Sequence, residues 1–319
     1  MVTKKTYKKI STDETVTKAI IAEIEQGIKD KREFHWIQPW TAKTGTKEAG
    51  YYFNPVTKNY YSGVNVFILS ILGARFSDPR YITYKNAKDL GGNVKLGQRG
   101  IPIVYVAVLC MEHKKPFNKI TNECPQGCDK DSKKFIINKH YTVFNVEQCE
   151  NLTKLKPLEV EEIEELEEEF DPIAEAEKIV SLYKNAPSVE HDGGDGAYYI
   201  PATDEIHLPT KNSFHSNGEY YSTLFHELVH STLHPSRLNR SFKDTPAQVA
   251  KFGSAPYAKE ELVAELGNSL LCSRAGITDT YQNSIEYLRG WVAKLNDDMK
   301  LFISSARHAN KAVKYMTGE

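Results

Sequence analysis

The chain has 319 residues, of which 40% are hydrophobic and 26% charged, the make-up of a soluble globular protein with room for two ordinary domains. Its net charge of −1 hides an asymmetry: residues 1–156 carry 26 Lys and Arg against 15 Asp and Glu, a net of +11, and residues 157–319 carry 15 against 27, a net of −12. The longest apolar runs, VFILSILGA and IPIVYVAVLCM, reach about half of what a bilayer crossing needs, and the lysine-bearing N-terminus lacks the apolar stretch of a secretory signal, so membrane and secreted classes are set aside.

In chain order, STDETVTKAIIAEIEQGIKDK places Val16, Ile20, Ile24 and Ile28 on one stripe behind a Ser/Thr cap, which predicts an amphipathic helix. GVNVFILSILG predicts a second, buried helix. GGNVKLGQRGIPIVYVAVLCM alternates glycine turns with β-branched runs, as strands do, and KFIINKHYTVFNVEQ predicts a further pair of strands. Five cysteines at irregular spacing form no disulfide framework, which points to a reducing cytoplasm. Four of the residues in LCMEHKKPFNKITNECPQGC, namely Cys110, His113, Cys124 and Cys128, make a C-x2-H…C-x3-C arrangement compatible with a second, structural zinc. A hairpin with ordinary thiols is the simpler alternative.

The charge changes sign at an acidic linker of about 157–172, where eight of residues 159–169 are glutamate. The boundary is placed there, giving domains of 1–156 and 157–319 in an α+β protein whose C-terminal part is mostly helical with a small sheet. DGAYYIPATDEIHLP predicts a strand, or a hairpin bending near Pro201–Asp204. Ser216 and Glu219 form a capping box ahead of the next helix. Ser254, Pro256 and Gly276 bracket another, and a last long helix is expected over about 281–316.

The helix behind Ser216 contains LFHELVHSTLH. Residues four apart share a helix face, so His226 and His230 can grip one ion, while Glu227 lies beside that face, where it can take a proton from water on the metal. A histidine-bearing core helix would show the same letters, so support is needed from a third ligand on another segment. YAKEELVAEL supplies carboxylates within an otherwise apolar helix, where burial is costly without a partner. Glu261 is assigned as ligand and Glu265, on the same face, as the carboxylate that orients a ligand histidine; Glu260 is the rival for the ligand position. His234 drifts about 80° round the helix from His226 and suits one ion poorly.

Single-strand binders combine cations with aromatic platforms. The basic half offers Trp36, Trp40, Tyr60 and Tyr61 for stacking, and Arg80, Tyr84, Lys85, Lys95 and Arg99 for phosphates. Its glycines 91, 92, 97 and 100 match no nucleotide-binding fingerprint.

LFHELVHSTLHPSRLNRSF followed by FGSAPYAKEELVAELG resembles the zincin-type metallopeptidase domain of the ArdC family of antirestriction proteins, which plasmids and other mobile elements carry. WIQPW, YYSGVNVFIL, DPRYITYKNAKDLGGNVKLGQRGIPIVY and YTVFNVEQCENL resemble that family's single-stranded DNA-binding domain. The resemblance implies that His226, His230 and Glu261 hold zinc, that Glu227 is the acid/base, and that binding single-stranded DNA shields incoming plasmid DNA from restriction. DNA-bound proteins are the expected peptide substrates, with Tyr257 or Arg237 as oxyanion donors. A non-proteolytic protein that coats single strands, its zinc domain structural or regulatory, is the alternative; an oligomeric scaffold of a conjugation complex is a third class.

Overall fold

The structure, a computed structural model, describes residues 10–32, 52–117, 124, 126, 134–158, 172–242, 245–246, 254–277 and 285–319. Helix α1 (Thr12–Asp30) begins where Ser11 accepts the Glu14 N–H at 3.1 Å, and it buries Val16, Ile20 and Ile24 completely. It closes on Lys31 in the left-handed region. The stripe read from the sequence is thus the buried face. Strands β1 (Phe53–Asn54) and β2 (Asn59–Tyr60) form a hairpin ahead of α2 (Val64–Leu72), which is buried over most of its length.

Strand β3 (Tyr81–Thr83) runs into α3 (Tyr84–Asp89), which starts at a reciprocal Thr83–Asn86 capping box. Then come β4 (Asn93–Val94), β5 (Ile101–Cys110), β6 (Lys134–Asn145) and β7 (Cys149–Glu150). The sheet order is β3-β6-β5, and β6 pairs antiparallel with β5 from Ile101↔Val143 to Cys110↔Lys134. The stretch expected to give two strands is therefore one. It has no glycine or proline to turn it, and β5 offers an unbroken partner along its length.

In the second half, α4 (Pro172–Leu182) precedes β8 (Ser188–His191), β9 (Tyr198–Ile200) and β10 (Glu205–Leu208). The order is β8-β10-β9, with β8 parallel and β9 antiparallel to the central β10. The hairpin bend falls at 201–204, with Asp204 at φ 60°. Four helices follow: α5 (Asn217–Ser231), α6 (Ala255–Ala275), α7 (Ile285–Asp297) and α8 (Leu301–Thr317). The single last helix expected over 281–316 is broken. Asp298 accepts the Lys300 N–H at 2.9 Å and so starts a new helix after α7 instead of extending it.

The two halves share a core. One apolar cluster runs from Val16, Ile20 and Phe67 in the first half to Leu262, Trp291 and Phe302 in the second. Helix α1 packs against α7 and α2 against α8, and the buried Thr17 hydroxyl donates to the Met299 carbonyl at 2.8 Å. The acidic linker lies almost wholly outside the described residues.

Candidate metal centre and nucleic-acid face

Helix α5 is capped by Ser216, which accepts the Glu219 N–H at 3.1 Å, and its apolar face (Leu224, Phe225, Leu228, Val229) is buried. Helix α6 packs on that face at close range: a Cβ on Gly267 would stand 2.8 Å from the Val229 methyls. This approach lets a carboxylate on α6 meet imidazoles on α5. His226 Nε2 and His230 Nε2 are 3.1 Å apart, and Glu261 places one oxygen 3.8 Å from the first and the other 3.7 Å from the second. Ligands at 2.0–2.1 Å from a tetrahedral ion stand about 3.3 Å apart. The three donors therefore fit a divalent metal, and two imidazoles with one carboxylate suit zinc chemistry.

Around these donors Glu260, the rival for the ligand position, takes a different place. His230 Nδ1 donates to it at 3.2 Å, so Glu260 is a carboxylate that orients His230. Arg240, which the sequence reading missed, clamps Glu260 from the far side, with Nε at 3.0 Å and Nη2 at 2.5 Å, and also donates to Thr232 and to the Val229 carbonyl. Arg240 and Glu260 are almost completely buried. A buried arginine needs a buried carboxylate, and the Arg in RLNRSF was the signal for one. Glu265 acts on His226 by charge.

The electrostatics follow from that packing. Burial would raise the Glu260 carboxyl, but Arg240 and His230 together hold it below the usual range. Burial likewise pushes Glu261 up, and the His226 hydrogen bond, the charges of His230 and His226 and the Tyr257 hydroxyl bring it down to about 2. His226 is pushed down by burial and brought up to about 9 by Glu261, Glu265 and Glu227. Glu227 is buried beside the donors, 7% exposed.

Other candidates separate cleanly. His234 lies beyond the end of α5, its Nδ1 2.7 Å from the Ser236 hydroxyl, and takes no part. Arg237 is committed to Asp204 by two 2.7 Å bonds and to the carbonyls of Asn185 and Ser231, so it is removed from the oxyanion donors. Tyr257 stays at the site through its hydrogen bond to Glu261.

Close by, the His308 ring packs on Phe242 at 5.3 Å, and burial, with the charges of Arg240, Lys259 and Lys311, lowers its pKa to about 4. The unfolded chain, with an ordinary histidine, therefore takes up a proton between about pH 6.5 and 4 that the folded chain refuses. This contribution to stability is complete above pH 6.5 and lost as pH falls through that window. His308→Gln should flatten the fall in urea midpoint between pH 7 and pH 4.5; an unchanged slope would refute the assignment.

On the basic half, Tyr60 and Tyr84 are exposed, as are Lys85, Lys95 and Arg99. Asn54 of the β1–β2 hairpin bonds Asn86 of α3 at 3.1 Å, which fixes the hairpin carrying Tyr60 against the helix carrying Tyr84. Lys95 also donates to the Glu147 carbonyl at 2.9 Å. Leu96, beside it on the β4–β5 loop, is fully exposed.

Two expectations fail here. Arg80 is buried, bonded to both oxygens of Asp78 and to the Lys156 carbonyl at 2.7 Å, so it ties the chain together and has no face for a phosphate. Tyr61 is half-buried against the core with its hydroxyl on the Tyr81 carbonyl at 3.1 Å, which removes it as a stacking platform. Trp36 and Trp40 lie outside the described residues. No described helix is long and apolar enough to cross a membrane.

Comparison with known proteins gives each half a match of its own. The N-terminal domain of anti-restriction factor ArdC matches residues 10–144, and a zincin-like metallopeptidase domain matches residues 174–308. Two solved structures are similar over nearly the whole chain. The antirestriction ArdC protein from plasmid R388 in metal-free form is 29% identical with a TM-score of 0.62, covering 95% of this chain and 96% of that one. Its Mn(II)-bound form is 28% identical with a TM-score of 0.65, covering 96% and 97%. Among curated proteins, a DNA primase TraC of Escherichia coli is 32% identical over 93% of this chain, which spans only 26% of that protein's length. An uncharacterized protein of Sinorhizobium fredii is 28% identical over 95% of this chain and 90% of its own length.

Proposed function

The chain belongs to the ArdC family of antirestriction proteins, and from that premise we propose that it binds single-stranded DNA through its basic half and hydrolyses peptides at a zinc site in its acidic half. The observation that carries the reading is the convergence of His226, His230 and Glu261 within 4.8 Å of one another, beside the buried Glu227. A zinc ion held there would supply Lewis acidity and make water easier to deprotonate. Glu227 accepts the proton of the attacking water on its carboxylate and returns it to the leaving nitrogen. Glu260, braced by Arg240, holds the His230 ring by Nδ1 and leaves Nε2 as the atom that would bind the ion. Tyr257 keeps a hydroxyl at the site. Strand β9 is an edge of its sheet and packs near α5, so an extended peptide can pair with it. Proteins bound to incoming DNA are the substrates that would join the two activities.

A second reading is favoured by one observation: the shared core makes the metal half a buttress for the basic half. The protein would then coat single strands without cutting peptides, its metal serving the fold. Both readings need DNA binding. With Lys85, Lys95 and Arg99 on phosphates, log affinity for oligo-dT should fall with log salt at a slope of about −2. Tyr60→Ala should weaken binding by about 1–3 kcal/mol. Equal affinity for duplex and single strand in a fluorescence-anisotropy titration would defeat both readings.

A further inference from the structure

We propose that the far end of the β5–β6 ribbon is a second, structural zinc site, held by Cys110, His113 and Cys124. The backbone prepares it. Beyond Cys110 the chain turns back on itself: the Lys114 N–H donates to the Cys110 carbonyl at 2.9 Å and the Cys110 N–H to the Lys115 carbonyl at 3.0 Å, with Lys114 at φ 53°. Phe117 then donates to the Val108 carbonyl at 2.9 Å, so the chain runs back beside β5. This tight turn carries His113 over the thiol of Cys110, with Sγ and Nδ1 3.8 Å apart.

Cys124 arrives from the other side of the connection, and its Sγ is also 3.8 Å from His113 Nδ1. All three donor atoms lie within 4.8 Å of one another. Around a tetrahedral zinc with Zn–S of 2.3 Å and Zn–N of 2.0–2.1 Å, a sulfur and a nitrogen stand about 3.6 Å apart. The donors are therefore already at corner spacing.

Burial gives an independent reason. Cys110 and Cys124 are 0% and 5% exposed, neither is in a disulfide, and neither belongs to either apolar cluster of the protein. The connecting segment 111–133, MEHKKPFNKITNECPQGCDKDSK, has few apolar residues from which to build a core of its own. A metal supplies the cohesion that such a segment lacks. Cys128, the last member of the C-x2-H…C-x3-C arrangement, lies outside the described residues. Two thiolates and a neutral imidazole balance the two positive charges of the ion. On binding, each thiol gives its proton to solvent. The role is to pin the ribbon tip, where Lys134 pairs with Cys110. None of these residues is shared with the His226 site.

The test uses the full chain with His226→Ala and His230→Ala, which leaves only the proposed site. Purified under reducing conditions, this variant should hold one zinc per chain. Exchanged with cobalt(II), it should show a sulfur-to-metal charge-transfer band in the near ultraviolet. Its thiols at 110 and 124 should resist a disulfide reagent until a chelator is added. Adding Cys124→Ser should abolish the band and the bound zinc. Absence of the band before that change, equal thiol reactivity with and without metal, or a disulfide among these cysteines in reducing buffer would each overturn the proposal. The cobalt spectrum of the double-histidine variant decides the matter even where a cysteine variant fails to fold.

Discussion

Arg240→Met should cost about 3–5 kcal/mol of folding stability, because it strands Glu260 as a buried carboxylate without its cation. Arg240 is the hub of a buried network: its guanidinium reaches both oxygens of Glu260, the Thr232 hydroxyl and the Val229 carbonyl, all close behind α5. Removing it takes a donor from both Glu260 oxygens and from the Thr232 hydroxyl at once. The same change loosens the brace on the His230 ring, since Arg240 is what holds Glu260 in place against Nδ1. The double change Arg240→Met with Glu260→Met removes both charges and should recover most of the stability. Metal affinity should stay about 10–100-fold weaker, because the brace on the ligand is still missing. Denaturant midpoints and a metal titration on the same samples separate the two effects. A single Arg240→Met variant as stable as the parent would show that the network contributes nothing.

Glu227→Gln should lower peptide hydrolysis by at least about 10²–10⁴-fold while leaving the fold intact. The carboxylate sits beside the donors without being one of them. A glutamine keeps the shape and hydrogen-bonding reach but cannot accept the proton. The measurement is cleavage of a DNA-bound protein or casein, with restriction protection assayed in parallel. Loss of cleavage together with loss of protection makes the peptidase the mechanism. Loss of cleavage with full protection assigns protection to DNA coating, the second reading. Undiminished cleavage would mean that Glu227 is not the acid/base.

Periodic features were legible from the residues alone. The Val16–Ile20–Ile24 stripe, the His226–His230 face and the hairpin bend at 201–204 are all set by local geometry, and each is found where the spacing puts it. What depended on packing between elements was not legible. Glu260, Glu261 and Glu265 all lie on one turn or the next, and only the contact between α5 and α6 decides which of them faces the two imidazole Nε2 atoms and which meets His230 Nδ1. The charge contrast between the halves marked two domains, and gave no sign of the apolar seam of α1 on α7 and α2 on α8. Arg80 and Tyr61 looked like ligand-facing groups by type, yet the local chain needed the one for Asp78 and the Lys156 carbonyl and the other for the Tyr81 carbonyl.

The central claim is that two histidines of α5 and one glutamate of α6 together hold a divalent ion. Metal content of the parent, Glu227→Gln and Glu261→Ala, purified side by side, tests it most directly. The first two should match, and the third should carry one equivalent fewer per chain. A Glu261→Ala protein that is folded and retains the full complement would contradict the account.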